Sequence, residues 1–271
     1  MNTRKRPVLS PELIDVIVDF AHNDRSVLLN CSLVSGVFLL SSCFHLFEHL
    51  HLQYSQWTLF FNLLESPLST ISHIQHMMLD FENNRADLLS IFIHLHGLGL
   101  RSLLLARMQI ENWIDSDWES TWFTDLKKLT ITHGYFPNPS HMFNIALKFK
   151  SVEHLHILQP QFKRTPSAPD HHLPVIRNSA VLFWTILELH FWGWGASETL
   201  IWLTMQQGLL ALQHIAMTGL RLKDFVHIGK ILRSLGPRLE YLELQLPGRP
   251  LGTSTCYISC IRRGSLPLLT R

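Results

Sequence analysis

Charged side chains are scarce here: 16% of the 271 residues are Asp, Glu, Lys or Arg, against about a quarter in an ordinary soluble domain. Acid and base nearly cancel, leaving a net charge of +2. That balance gives no electrostatic case for a nucleic-acid partner, which needs a basic stripe to neutralise phosphates. Basic residues cluster only at Arg4-Lys5-Arg6 and Arg262-Arg263, as solvated ends do. Cysteine is equally sparse. Cys31, Cys43, Cys256 and Cys260 do not make a disulfide framework, and Cys256 and Cys260 lack a second pair at zinc-site spacing, so a reducing compartment is expected.

Catalytic and targeting signatures are missing too. There is no Gly-rich phosphate loop, no Gly-x-Ser-x-Gly elbow and no His-Glu-x-x-His, and Gly193-Trp-Gly195 lacks the third glycine of a dinucleotide fingerprint. The expectation is a protein that is not an enzyme and holds no cofactor and no metal. Glu12, Asp15 and Asp19 interrupt the apolar start, which excludes a secretory leader. Residues 26–47 carry no charge, but Asn30, Ser32, Ser35, Ser41, Ser42 and His45 dilute them, so no membrane span is expected.

What is present begins at the N-terminus. Ser10 is suited to cap a helix, Pro11 to open it, and Glu12 and Asp15 to complement its dipole. Leu13, Ile14, Ile17, Val18 and Phe20 recur at helical spacing. Asp24 marks a second helix start, with Val27, Leu28, Cys31, Val34 and Phe38 as its stripe, and Phe44 and Phe47 suggest a third helix. This is too little core to be comfortable alone.

Leu9-Ser-Pro-Glu-Leu-Ile14 with Ile17, and later Val34, resembles an F-box, whose opening is typically Leu-Pro-x-Glu-Leu/Ile and whose later signature is Val-Cys-Lys/Arg-x-Trp. Ser35, Gly36 and Phe38 depart from that signature, and Gly36 is expected to weaken a helix interior by about 1 kcal/mol. The resemblance covers about a sixth of the chain and implies docking to a Skp-family adaptor, and through it to a cullin. Leu9, Pro11, Leu13, Ile14, Ile17, Val34 and Phe38 are the contact residues it implies.

The rest repeats. The pattern apolar-x-x-apolar-x-apolar starts at Ile74, Leu100, Leu126 and Val152, in equal steps of 26, and continues at Trp184, Leu212 and Leu239, in steps of 32, 28 and 27. An apolar residue follows ten positions later at Ile110, Phe136, Phe162, Trp194 and Leu222. Between the triplets lie helix-like segments at Asp87–His96, Ser140–Phe149, Ser197–Gln207 and Lys223–Leu235. Gln159–Asn178, with four prolines, reads as an inserted surface loop. The pattern resembles leucine-rich repeats of the strand-plus-helix type. The Asn or Cys that usually follows the strand is replaced throughout, so no side-chain ladder is expected at the turns.

The expected fold class is therefore α/β: an F-box-like helical module at 7–53, a leucine-rich-repeat-like curved solenoid with a parallel concave sheet at 54–250, and an uncertain or disordered tail at 251–271. Alternation along each strand puts His76, Ser102, Lys128, His154, Ile186, His214 and Tyr241 in one concave column. The next holds His156 beside Glu188, and a third holds His190. The seventeen histidines include His154, His156, His190 and His214, which with Glu188 would lie near one another on three adjacent strands, so a metal site or pH-sensitive patch is conceivable. No pair has dedicated ligand spacing, and a polar face is favoured. Trp113, Trp118 and Trp122, like Trp184, Trp192, Trp194 and Trp202, are read as packing or edge residues ahead of a recognition patch.

The function expected from both resemblances is a substrate-recognition adaptor of a cullin–RING ubiquitin ligase, cytoplasmic or nuclear. An unidentified target protein would be held near His154, His156, Glu188, His190 and His214. The alternative is a repeat scaffold attached to no ligase.

Overall fold

The structure, a computed structural model, describes residues 9–66, 74–82, 88–109, 123–163, 186–192, 196–205, 211–245 and 257–261. It opens with three helices, α1 (Pro11–Phe20), α2 (Arg25–Val34) and α3 (Gly36–Glu48). Asp24 caps α2, its Oδ1 accepting from the backbone N–H of Ser26 at 3.0 Å and of Val27 at 3.1 Å. Ser10 occupies the N-cap position of α1 but its hydroxyl caps nothing. Its carbonyl accepts instead from Leu13 and Ile14, both at 3.1 Å.

The single stripe expected from Val27 to Phe38 is broken at Ser35. That residue is extended, with φ −159° and ψ 141°, and its Oγ accepts from Val37 N–H to start α3. A serine that can bond the backbone locally competes with helix continuation. Gly36 is consequently the first residue of α3, not an interior one, and the helix-interior penalty expected of it does not apply.

A sheet follows at once. β1 (His49–Gln53) and α4 (Trp57–Leu64) precede β2 (His76–Asp80), α5 (Leu88–Leu95), β3 (Ser102–Ala106), β4 (Lys128–Thr132), β5 (Tyr135–Phe136), α6 (Pro139–Leu147), β6 (His154–Leu158) and β7 (Gln161–Phe162). Then come β8 (Glu188–Trp192), α7 (Ala196–Met205), β9 (His214–Met217), α8 (Phe225–Leu235), β10 (Tyr241–Gln245) and β11 (Tyr257–Ile261). The main sheet has nine strands in the order β1-β2-β3-β4-β6-β8-β9-β10-β11. All its pairings are parallel except β10 with β11. The fold is α/β, with a large parallel sheet and eight α-helices among the described residues.

β1 lies on the helical side of the boundary expected at residue 53, yet it pairs along its whole length with β2. Its triplet, Phe47/Leu50/Leu52, starts 27 residues before Ile74, a further step of the repeat that the sequence reading passed over. Five residues of the segment expected as an uncertain tail form β11, whose antiparallel register covers the free edge of β10.

One core runs through the sheet. Starts and inward strand residues are all buried, from Ile74, Met77 and Leu79 through to Leu239, Leu242 and Leu244. The helices close over that face with Phe92, Phe143, Trp202 and Ile231. Phe143 and Trp202 stack at 4.3 Å between centroids, which makes Trp202 a core residue. Trp192 is exposed, and Trp113, Trp118, Trp122, Trp184 and Trp194 lie outside the described residues.

After β2 the turn is held in part by a side chain, Asp80 Oδ1 accepting from the Glu82 N–H at 3.0 Å, whereas the turns after β3, β4 and β6 are linked to one another by backbone. Arg107, His133 and Gln159 each take a left-handed φ of 52–53°, immediately after β3, β4 and β6. Arg107 N–H donates to Thr132 C=O and His133 N–H to Leu158 C=O, both at 2.9 Å. Stacked turns thus extend the strand ladder without the missing Asn or Cys. A second, two-stranded ladder joins β5 to β7, burying Phe136 fully. Leu222, ten positions after its repeat start as Phe136 is after its own, is exposed, while Ile110 and Trp194 are among the residues not described.

Candidate functional site

The face of the sheet opposite the helices carries strand positions one, three and five. The expected register of β8 is corrected here. Its triplet is Ile186/Leu189/Phe191 rather than Trp184/Leu187/Leu189, so the inserted stretch lengthens one step to 34 and the next returns to 26. A slip of two keeps Glu188, Leu189 and His190 on their faces but moves each one row along, while the position before the strand changes face. Ile186 leaves the open face for the core, at 2% exposure. Glu188 comes to lie beside His154, and His190 beside His156.

That register assembles a tight cluster. His154 Nδ1 lies 2.6 Å from Glu188 Oε2. His190 Nε2 contacts Glu188 Oε1, and His156 Nε2 stands 3.9 Å from the same oxygen. The rings of His156 and His190 stack, with centroids 4.4 Å apart and planes at 18°. Side-chain exposures of 20% for His156 and 22% for Glu188 make the centre of the cluster half-buried. His214 is not part of it. It sits beside Glu188 in register, but its Nε2 faces Glu240 at 3.7 Å and its ring meets Tyr241 edge-on.

The electrostatics follow from that packing. Burial, then the charges of Lys128 and His190, push His156 down to about 4, against a smaller upward pull from Glu188. It is neutral at physiological pH. Burial alone would raise Glu188, but the His154 hydrogen bond and the neighbouring histidine charges outweigh it and hold the carboxyl below its ordinary value. Farther along the sheet, Arg107 grips the buried Asp80, with Nε 2.7 Å from Oδ1. The Arg107 hydrogen bond holds Asp80 below the usual carboxylate range. That pair is structural.

A different surface lies on the helices. Ile14, Val18, Leu28 and Leu46 form a small core, with Phe38 and Phe47 packed against it. Ile14, expected to contact a partner, is therefore buried, because helical spacing turns it inward with Val18. Phe38 is half-buried against the same core. The other resemblance-derived residues, Leu9, Pro11, Leu13, Ile17 and Val34, are exposed. Leu13, Ile17 and Phe20 form one outward stripe of α1, and Leu33, Val34 and Leu40 add exposed apolar side chains on α2 and α3. Singly exposed apolar residues are ordinary; this density on three short helices is not.

Among the described residues no helix is long and apolar enough to cross a membrane. Compared with known protein families, with curated proteins and with solved structures, the chain shows no significant match.

Proposed function

We propose that this chain is a substrate-recognition adaptor of a cullin–RING ubiquitin ligase, cytoplasmic or nuclear. In this reading it is built from an F-box-like helical module and a leucine-rich-repeat-like solenoid. The observation that carries the docking half is the outward apolar stripe of α1, Leu13, Ile17 and Phe20, with Leu33 and Val34 on α2. Such a surface suits a partner that covers it, and the Leu-Ser-Pro-Glu-Leu-Ile resemblance selects a Skp-family adaptor as that partner. The solenoid reading draws support from strands that pair in chain order and from the stacked left-handed turns. The open face of that sheet would receive a target protein, with His154, His156, Glu188 and His190 at its centre. The chain contributes proximity; bond-making belongs to the ligase partners.

The double variant Leu13→Ala/Ile17→Ala removes exposed side chains, so it should stay folded and lose adaptor binding. Unchanged binding by the folded variant would rule this docking mode out.

A further inference from the structure

The sequence reading expected no metal, because no two histidines share a ligand-like spacing. The register supplies what spacing does not. One ring nitrogen each of His156 and His190 and a Glu188 carboxylate oxygen all lie within 4.8 Å of one another, delivered by two neighbouring parallel strands. We propose that His156, Glu188 and His190 form a binding site for a divalent transition-metal ion of the zinc class, with one coordination position left open to water on the open face of the sheet.

Donor chemistry selects the ion. Two imidazoles and one carboxylate suit zinc and the late first-row metals, whereas calcium and magnesium require oxygen ligands throughout. Three protein ligands plus one open position is a recurrent arrangement for a tetrahedral ion. Bonds of about 2.0–2.2 Å would draw the donor atoms to roughly 3.3–3.5 Å of one another. Reaching that separation from the 3.9 Å between His156 Nε2 and Glu188 Oε1 requires the stacked His156 and His190 rings to turn toward a common point. On binding, the hydrogen bond between His190 Nε2 and Glu188 gives way to two metal bonds, the Nε2 proton being lost or moved to Nδ1.

The surroundings are built for this. His154 Nδ1 holds Glu188 Oε2 at 2.6 Å, fixing the carboxylate so that Oε1 points at the two rings, as outer partners do for metal ligands. In the same row the flanking residues are Thr130, beside His156, and Ala216, beside His190, both short side chains. One feature opposes binding: the positive charge of Lys128 acts on His156. Lys128 therefore sets the affinity below what the three ligands alone would give. The site does not depend on adaptor docking and stands or falls separately from it.

The test uses the full chain, stripped with chelator and titrated with Co²⁺ as a spectroscopic probe, with Zn²⁺ as competitor. One equivalent of Co²⁺ should produce the visible absorption of a four-coordinate ion, and Zn²⁺ should abolish it. Glu188→Gln and His190→Gln should each weaken binding by at least about 10-fold, and Lys128→Met should tighten it. His76→Ala removes a member of the other such grouping, Glu48, His49 and His76, and should change nothing. Far-UV circular dichroism checks each variant, and Lys128→Met keeps the test decisive should a ligand variant unfold. No four-coordinate spectrum in the wild type, undiminished binding in folded Glu188→Gln and His190→Gln, no tightening in Lys128→Met, or loss in His76→Ala instead would each overturn the assignment.

Discussion

The N-terminal helices and the sheet use the same kind of residue to opposite ends. In the sheet, apolar side chains at every repeat start and inward strand position meet in one continuous core. In the helical unit, Ile14, Val18, Leu28 and Leu46 are the buried set among the described residues, while Leu13, Ile17, Phe20, Leu33 and Val34 face outward. A unit that hides so few of its apolar side chains gains little from its own packing. It rests on the sheet through Phe47, which touches both cores, and through β1, which continues from α3. The contrast teaches that much of the hydrophobicity of residues 26–47 lies on the surface, while Leu28 and Leu46 turn into the small core.

The largest effect expected from that contrast is in the sheet. Leu129→Ala, at a fully buried site on β4, should cost about 3–5 kcal/mol in denaturant unfolding. Leu33→Ala, 84% exposed, should stay within about 0.5 kcal/mol. A similar loss at both sites would erase the distinction between the regions. Next in size, Gly134→Ala would place its Cβ 2.6 Å from the Phe136 ring, which is fully buried and cannot swing away. Overpacking of that kind should lower stability by about 1–3 kcal/mol, read from the unfolding midpoint.

The pH response sharpens the same contrast on the sheet's open face. His156 titrates near 4 in the fold and near 6.5 unfolded. Between those values the unfolded chain binds the proton and the fold does not, so stability is full above about 6.5 and falls as pH drops toward 4. With chelator present and solvent screening discounted, His156 should contribute about 1 kcal/mol to that fall, and His156→Gln should flatten it in urea titrations. Burial lowers His76 and His141 too, so a residual slope of the same sign should remain in the variant. The smallest effect belongs to Gly36. It begins α3 with open space where a Cβ would go, so Gly36→Ala should raise the melting midpoint slightly, by about 0.5 kcal/mol of stability.

How much of this was legible beforehand depended on the range of the signal. The steps of 26 placed β2, β3, β4 and β6 in register, because each repeat buries the same triplet. The 34-residue step did not announce its length: triplets starting at 184 and at 186 both fit an apolar pattern, and a slip of two leaves Glu188, Leu189 and His190 on the same faces. Glu188 and His190 were therefore assigned to the open side, near His154 and His156, but to the wrong rows, so the direct pairing of Glu188 with His154 and of His190 with His156 was missed. Cross-strand ligands leave no spacing in a sequence; only the register reveals them. Phe47/Leu50/Leu52, by contrast, carried the repeat in plain view and was obscured by the helical pattern running into it. The break at Ser35 turned on a local choice between cap and continuation that periodicity does not resolve.

The account rests most heavily on what covers the outward stripe of α1. The most direct measurement is co-expression of the full chain with a Skp-family adaptor, followed by size-exclusion chromatography. A stable one-to-one complex is the predicted result. A folded chain that elutes alone, with Leu13 and Ile17 uncovered, would contradict the adaptor reading.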